Sequence, residues 1–181
     1  MYADIVKLLV DHGADIAAHD ENRWTPLHLA AYCGGAVSET VQLLLECGAD
    51  ATARDRSNKT PLHLALSKVI SSSVSLLIQH RRNMNAQRDL YFQLPNGKAR
   101  TVRLLIEHGA DVNAQDETHT TPLHLASFLG TIPEIVQLLI ECGADITAKD
   151  WKHRTPLHMV SSWVSAKKVT LSIQHMAEVN G

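Results

Sequence analysis

Aromatic side chains are scarce in this chain, at 4% of its 181 residues, while apolar residues of all kinds reach 45%. That balance suits a core of Leu, Ile, Val and Ala between thin helices. Cysteine is scarce as well: Cys33, Cys47 and Cys142 fit neither a disulfide framework nor a close-spaced zinc pattern. No run of eighteen apolar residues occurs, and no charged-then-apolar leader opens the chain. The expectation is a soluble intracellular protein, in cytoplasm or nucleus, without membrane insertion. A formal net charge of −2 leaves no excess of either sign to name a partner.

What the chain does have is repetition. Thr-Pro-Leu-His occurs four times, beginning at Thr25, Thr60, Thr121 and Thr155, in steps of 35, 61 and 34 residues. Each copy precedes, by about twenty residues, a Leu-rich stretch closing on Gly-Ala-Asp or a worn version of it. A motif at this interval denotes a row of small units, none able to bury its own apolar face, rather than one globular core.

The residues within a unit explain the elements. Thr25 before Pro26 reads as a helix start, because the hydroxyl can cap free backbone N–H groups and proline suits the first helical position. Leu27, Leu29 and Ala30 give the short helix an apolar face, and Gly34 and Gly35 end it. Val41, Leu44 and Leu45, widened by Leu43, place a buried stripe on a second helix. Gly48 follows where a left-handed residue closes that helix. An extended polar stretch then leads to a turn that needs one more left-handed residue. Asn58, His119 and His153 suit that position, and Arg23 suits it less.

These units resemble ankyrin repeats, whose signature is Thr-Pro-Leu-His-x-Ala, and the four Thr-Pro-Leu-His copies run in register over nearly the whole chain. The expected fold is all-α: an ankyrin-repeat solenoid of stacked helix-turn-helix units with short hairpin loops. About six units are expected, over 1–20 (partial), 21–55, 56–89, 90–116 (degenerate and shortened), 117–150 and 151–181 (terminal). Between Asp89 and Val102 no Thr-Pro-Leu-His fits. Leu94-Pro95-Asn96-Gly97 reads there as a turn, with Thr101 to His108 as a good second helix. Arg81-Arg82-Asn83 replaces Gly-Ala-Asp, which predicts a weak joint over 80–100. The first twenty residues supply a second helix with no first helix beneath it. That suggests a monomer with an incomplete start or a piece of a longer array.

The resemblance also assigns roles. Thr25, His28, Thr60, His63, Thr121, His124, Thr155 and His158 are structural, each histidine bonding within its turn and to the adjoining repeat. A second column (His12, Cys47, His80, His108, Cys142 and His175) occurs once per unit, but neighbours in such a row stand roughly 8–10 Å apart, too far for one zinc. No nucleophile elbow or phosphate loop is present, so neither catalysis nor a cofactor is expected.

Function is therefore expected on the surface. By resemblance, partners meet the hairpin tips and the inner face of the first helices, which makes Trp24, Tyr32, Arg56, Lys59, Lys68, Phe128, Trp151, Lys152, Arg154 and Trp163 the candidate contacts. Residues 54–103 carry ten Arg and Lys against Asp55 and Asp89, a landing patch for an acidic segment of another protein. Nucleic acid fits poorly, since aromatics there are confined to Tyr91 and Phe92. The reading is a non-catalytic protein-binding scaffold. Its alternative is the targeting or regulatory arm of a larger enzyme, channel or signalling protein.

Overall fold

Why a unit folds as it does is visible at each end of its helices. The structure, a computed structural model, describes residues 2–33, 38–67, 87–129 and 133–161. Among these are eight helices and no strand. They are α1 (Tyr2–Asp11), α2 (Pro26–Cys33), α3 (Ser38–Glu46), α4 (61–67), α5 (Gln87–Glu107), α6 (Pro122–Leu129), α7 (Pro133–Glu141) and α8 (156–161).

The short helices α2, α4, α6 and α8 each begin on the proline of Thr-Pro-Leu-His. Thr25 and Thr121 cap theirs: each Oγ1 accepts the backbone N–H of the histidine three residues on, at 3.4 Å. The second helices end on glycines with φ of 86, 91, 85 and 87° at Gly13, Gly48, Gly109 and Gly143. There the following alanine donates its N–H to the carbonyl five residues back, as Ala49 does to Leu44 at 2.9 Å. Gly34 and Gly35, expected to stop α2, lie outside the described residues.

Stacking order follows from helix contacts. α1 packs on α3, α3 on α5 and α5 on α7, while α2 pairs with α3 and α6 with α7. One continuous apolar core runs through them, including Leu27, Val41, Leu44, Leu62, Leu66, Val102, Leu105, Leu123, Ile135 and Leu139. The architecture is an all-α solenoid. One detail of the expected faces changes: Ala31 is buried in place of Leu29, which is 47% exposed.

The middle of the array differs from its sequence reading. The hairpin at 117–121 rests directly on that at 56–60, since Glu117 donates its N–H to the Ser57 carbonyl at 3.1 Å. His63 likewise lies 3.0 Å, through Nε2, from the Thr120 carbonyl. With α5 seated between α3 and α7, a separate layer for 90–116 has no place. The helix at 101–107 instead lies in the layer that α4 opens, so among the described residues 56–67 and 101–116 stack as one layer. Five layers are present among the described residues. They begin at 2, 21, 56, 117 and 151.

Nor is there a turn at 94–97: α5 is helical for 21 residues, through Pro95 and Gly97. A proline inside a helix removes one hydrogen bond and kinks the axis, whereas Val102 and Leu105 near the end of α5 are fully buried. The Arg81-Arg82-Asn83 joint lies outside the described residues.

Arg23, Asn58, His119 and His153 hold φ of 63, 57, 54 and 58°, so the left-handed hairpin position is filled as expected. Asparagine tolerates this backbone far better than arginine. Arg23→Asn should raise unfolding free energy by about 0.5–1 kcal/mol, read as a higher urea midpoint. An unchanged or lower midpoint would contradict strain at this hairpin.

Candidate partner-binding surface

Each hairpin is organised by one aspartate. Asp20, Asp55, Asp116 and Asp150 each accept, through Oδ1, the backbone N–H groups two and four residues further on, at 2.8–3.0 Å. The same four residues close the hairpin by donating their own N–H to the carbonyl four residues ahead. Successive hairpins are then bonded together: Arg56 N–H to the Asn22 carbonyl, Glu117 to Ser57, and Trp151 to Thr118, at 3.0–3.1 Å. Beside them Asn113 ties two loops, donating Nδ2–H to the Gly143 carbonyl and accepting the Asp145 N–H.

Beneath each hairpin stands the motif histidine. Thr25 N–H and its hydroxyl both donate to Nδ1 of His28, at 3.2 and 2.9 Å. Since Nδ1 is an acceptor there, the ring carries its proton on Nε2, which donates to the Lys59 carbonyl at 3.2 Å. His63 with Thr60 and Thr120, and His124 with Thr121 and Arg154, repeat the arrangement. Thr155 holds His158 at 2.8 Å through Nδ1 in the same way. His28, His63 and His124 thus each bond both within the turn and to the carbonyl ahead of the next motif threonine.

The candidate contacts fall into distinct settings. Trp151 is 59% exposed on its hairpin, with the Lys152 ammonium 4.6 Å from the ring centroid. Arg56 is exposed, and Lys59 and Phe128 are half-buried. Arg154 pairs with buried Asp150 at 2.7 Å through its guanidinium. Burial works to raise the Asp150 carboxyl. The Arg154 bonds and the two backbone N–H groups outweigh it and hold the group below the usual carboxylate range. Trp24 faces sideways, its indole N–H donating to Asp55 Oδ2 at 3.0 Å and its ring tilted against Tyr32 at 5.4 Å. Lys68 and Trp163 lie outside the described residues.

The basic stretch 54–103 does not form one patch among those residues. Arg54, Arg56 and Lys59 sit on a hairpin, and Arg54 caps the Asn58 and Gln115 carbonyls. Arg100 and Arg103 lie on α5, and Lys98 is buried. Sequence reasoning missed the aspartates altogether. Their signal was available: an Asp stands five residues before every motif threonine.

Among the described residues no group of His, Cys, Asp and Glu could hold a metal. His12 and His108 instead sit 2.7 and 2.8 Å, through Nδ1, from the carbonyls of Leu8 and Leu104 at helix ends. No described helix is long and apolar enough to cross a membrane.

The chain belongs to the ankyrin-repeat family: the family model described as ankyrin repeats (3 copies) matches residues 1–88 and again 90–150. No curated protein matches the chain. Ankyrin repeats are generally protein–protein interaction modules and typically non-catalytic.

Two predictions follow from the bonding. Asp55→Ala strips the acceptor from Ser57 N–H, Lys59 N–H and the Trp24 indole, and should cost about 2 kcal/mol or more of stability. Trp24→Phe, which removes only one of those donors, should cost less, and calorimetry of both variants orders them. The second concerns pH. Burial pushes the pKa of His28 and His63 below 6.5, against the opposing pull of the Lys59 and Thr120 carbonyls. Below pH 6.5 the unfolded chain takes up protons that these folded rings refuse. Their contribution is therefore full above that value and declines as pH falls toward the lowered folded pKa. Urea titrations at about pH 7.5 and about pH 5.5 should show the loss, and a flat profile in that window would refute it.

Proposed function

We propose that this chain is a non-catalytic scaffold that binds another protein along its hairpin tips and the adjoining first helices. One observation carries the reading: Trp151 stands exposed, flanked by Lys152, on a hairpin already fixed by Asp150 and by the Thr118 carbonyl. Exposed tryptophan and arginine are the residue types that dominate interface energy. A surface held rigid before binding loses little ordering entropy on contact. Arg56 and Lys59 lie on one tip, and Lys152 and Arg154 lie with Trp151 on another, with one hairpin between them, which favours a partner segment rich in carboxylates. The exposed free thiols of Cys33, Cys47 and Cys142 suit a reducing compartment, cytoplasm or nucleus. The same surface serves whether the chain acts alone or as the targeting arm of a larger enzyme, channel or signalling protein.

The test compares capture by the native array with capture by a Trp151→Ala, Lys59→Glu double variant. For a partner so found, Trp151→Ala alone should weaken binding by about 2 kcal/mol or more, with the melting temperature essentially unmoved. Full affinity in both variants would remove the hairpin tips from the binding surface.

A further inference from the structure

Adjacent hairpins are alike in backbone and unlike in charge. Glu21, Arg56, Glu117 and Trp151 occupy one position on successive tips, each directly after the aspartate that organises its hairpin. The first tip carries one charge of each sign, Glu21 and Arg23, both exposed. The second carries Arg56 and Lys59 and no exposed acid, since Asp55 is buried and holds backbone N–H groups. On the third the sign reverses: Glu117 is its only formal charge besides buried Asp116. On the fourth Lys152 is exposed beside Trp151, while Arg154 is held by Asp150.

These charges are not paired with one another. The Glu117 carboxylate, the Arg56 guanidinium and the Lys59 ammonium make no hydrogen bond or ion pair among the described residues. Arg54, just before Asp55, is directed instead at the Asn58 and Gln115 carbonyls. His119 is taken up as well, its Nδ1 lying 3.0 Å from Gln115 Oε1. The tips cannot slide to bring opposite signs together, because each backbone is bonded to the hairpin before it. Glu117 N–H reaches the Ser57 carbonyl at 3.1 Å, and Trp151 N–H the Thr118 carbonyl at 3.0 Å. A row reading positive, negative, positive is therefore held at a set pitch, with Glu117 in the middle.

The pitch selects a backbone. Neighbouring layers stand roughly 8–10 Å apart. A polyproline II segment advances about 3.1 Å per residue with three residues per turn, so every third side chain points the same way at intervals of about 9 Å. In a β-strand, side chains on one face recur about every 7 Å and fall out of step with the tips.

We propose that the tips select a polyproline II segment of a partner protein by charge register. A carboxylate meets Arg56 and Lys59, a Lys or Arg three residues on meets Glu117, and a second carboxylate three residues further meets Lys152. This deepens the binding surface proposed above and rests on it. Glu117 is the specificity-determining residue, because it repels an unbroken acidic run that the tips on either side attract. Trp151 adds an apolar face against which prolines beside the last carboxylate pack.

Fluorescence anisotropy of labelled synthetic peptides on the full chain, at neutral pH and low salt, tests this. Three cores are compared. Glu-Pro-Pro-Lys-Pro-Pro-Glu is in register. Pro-Pro-Glu-Lys-Glu-Pro-Pro has the same composition out of register, and Glu-Pro-Pro-Glu-Pro-Pro-Glu has the greater negative charge. The first should bind at least about threefold more tightly than either of the others, and added salt should erase the difference. Glu117→Lys should reverse the order of the first and third. The Glu117 side chain is exposed and unpaired among the described residues, so the variant's melting curve should match the native one. Tightest binding by the third peptide, equal binding by all three, or no saturation by the first at about 1 mM overturns the register. The Trp151→Ala, Lys59→Glu double variant separates this from the reading beneath it. Peptides that bind without order and are lost in the double variant remove the register alone. Peptides that bind the double variant as well as the native chain remove both.

Discussion

One imidazole ring in each inner layer sets the geometry of the stack. Its Nδ1 accepts from the threonine that begins its own helix, and its Nε2–H reaches the carbonyl that precedes the next layer's threonine, as His28 does between Thr25 and Lys59. Capping and stacking are thus joined in one neutral, buried side chain. Protonation would place a hydrogen where Thr25 N–H already points. Any replacement lacking either nitrogen would leave a buried N–H or carbonyl unpaired, which costs more than the bond itself contributes. The Thr-Pro-Leu-His spacing is a consequence: three residues from cap to ring is what one helical turn allows.

Much of this was legible in the residues. Caps, prolines at the first helical position, closing glycines and even the left-handed Asn58, His119 and His153 are local features, and local sequence carries them. The faces were mostly readable as well, because period and burial agree at Val41, Leu44 and Leu45. Leu29 failed for a non-local reason. Leu64 at the same position is buried against the layer before it, whereas no first helix among the described residues precedes α2 to cover Leu29.

The 61-residue step between Thr60 and Thr121 is ambiguous for a similar reason. Its length accommodates a shortened unit or a segment lying within one unit equally well, and the apolar spacing of 101–108 says only that a second helix is there. Which layer that helix joins depends on Ser57 meeting Glu117 and His63 meeting Thr120, pairs roughly sixty residues apart. No local propensity encodes such a pairing. It follows from the rule that each hairpin must sit on a neighbour, applied to the hairpins actually available.

That rule also separates stability from recognition. Hairpin backbones are held by aspartate carboxylates, by left-handed residues and by bonds to adjacent hairpins, none of which uses the side chains at the tips. Arg56, Trp151 and Lys152 can therefore change with small effect on the stack. Trp24 is the exception, since its indole N–H on Asp55 and its contact with Tyr32 make it part of the frame. A tryptophan on a hairpin is thus an anchor or a brace according to where its N–H goes. The ring of Trp151 is exposed, with the Lys152 ammonium 4.6 Å from its centroid, which is why the proposed binding surface centres on it.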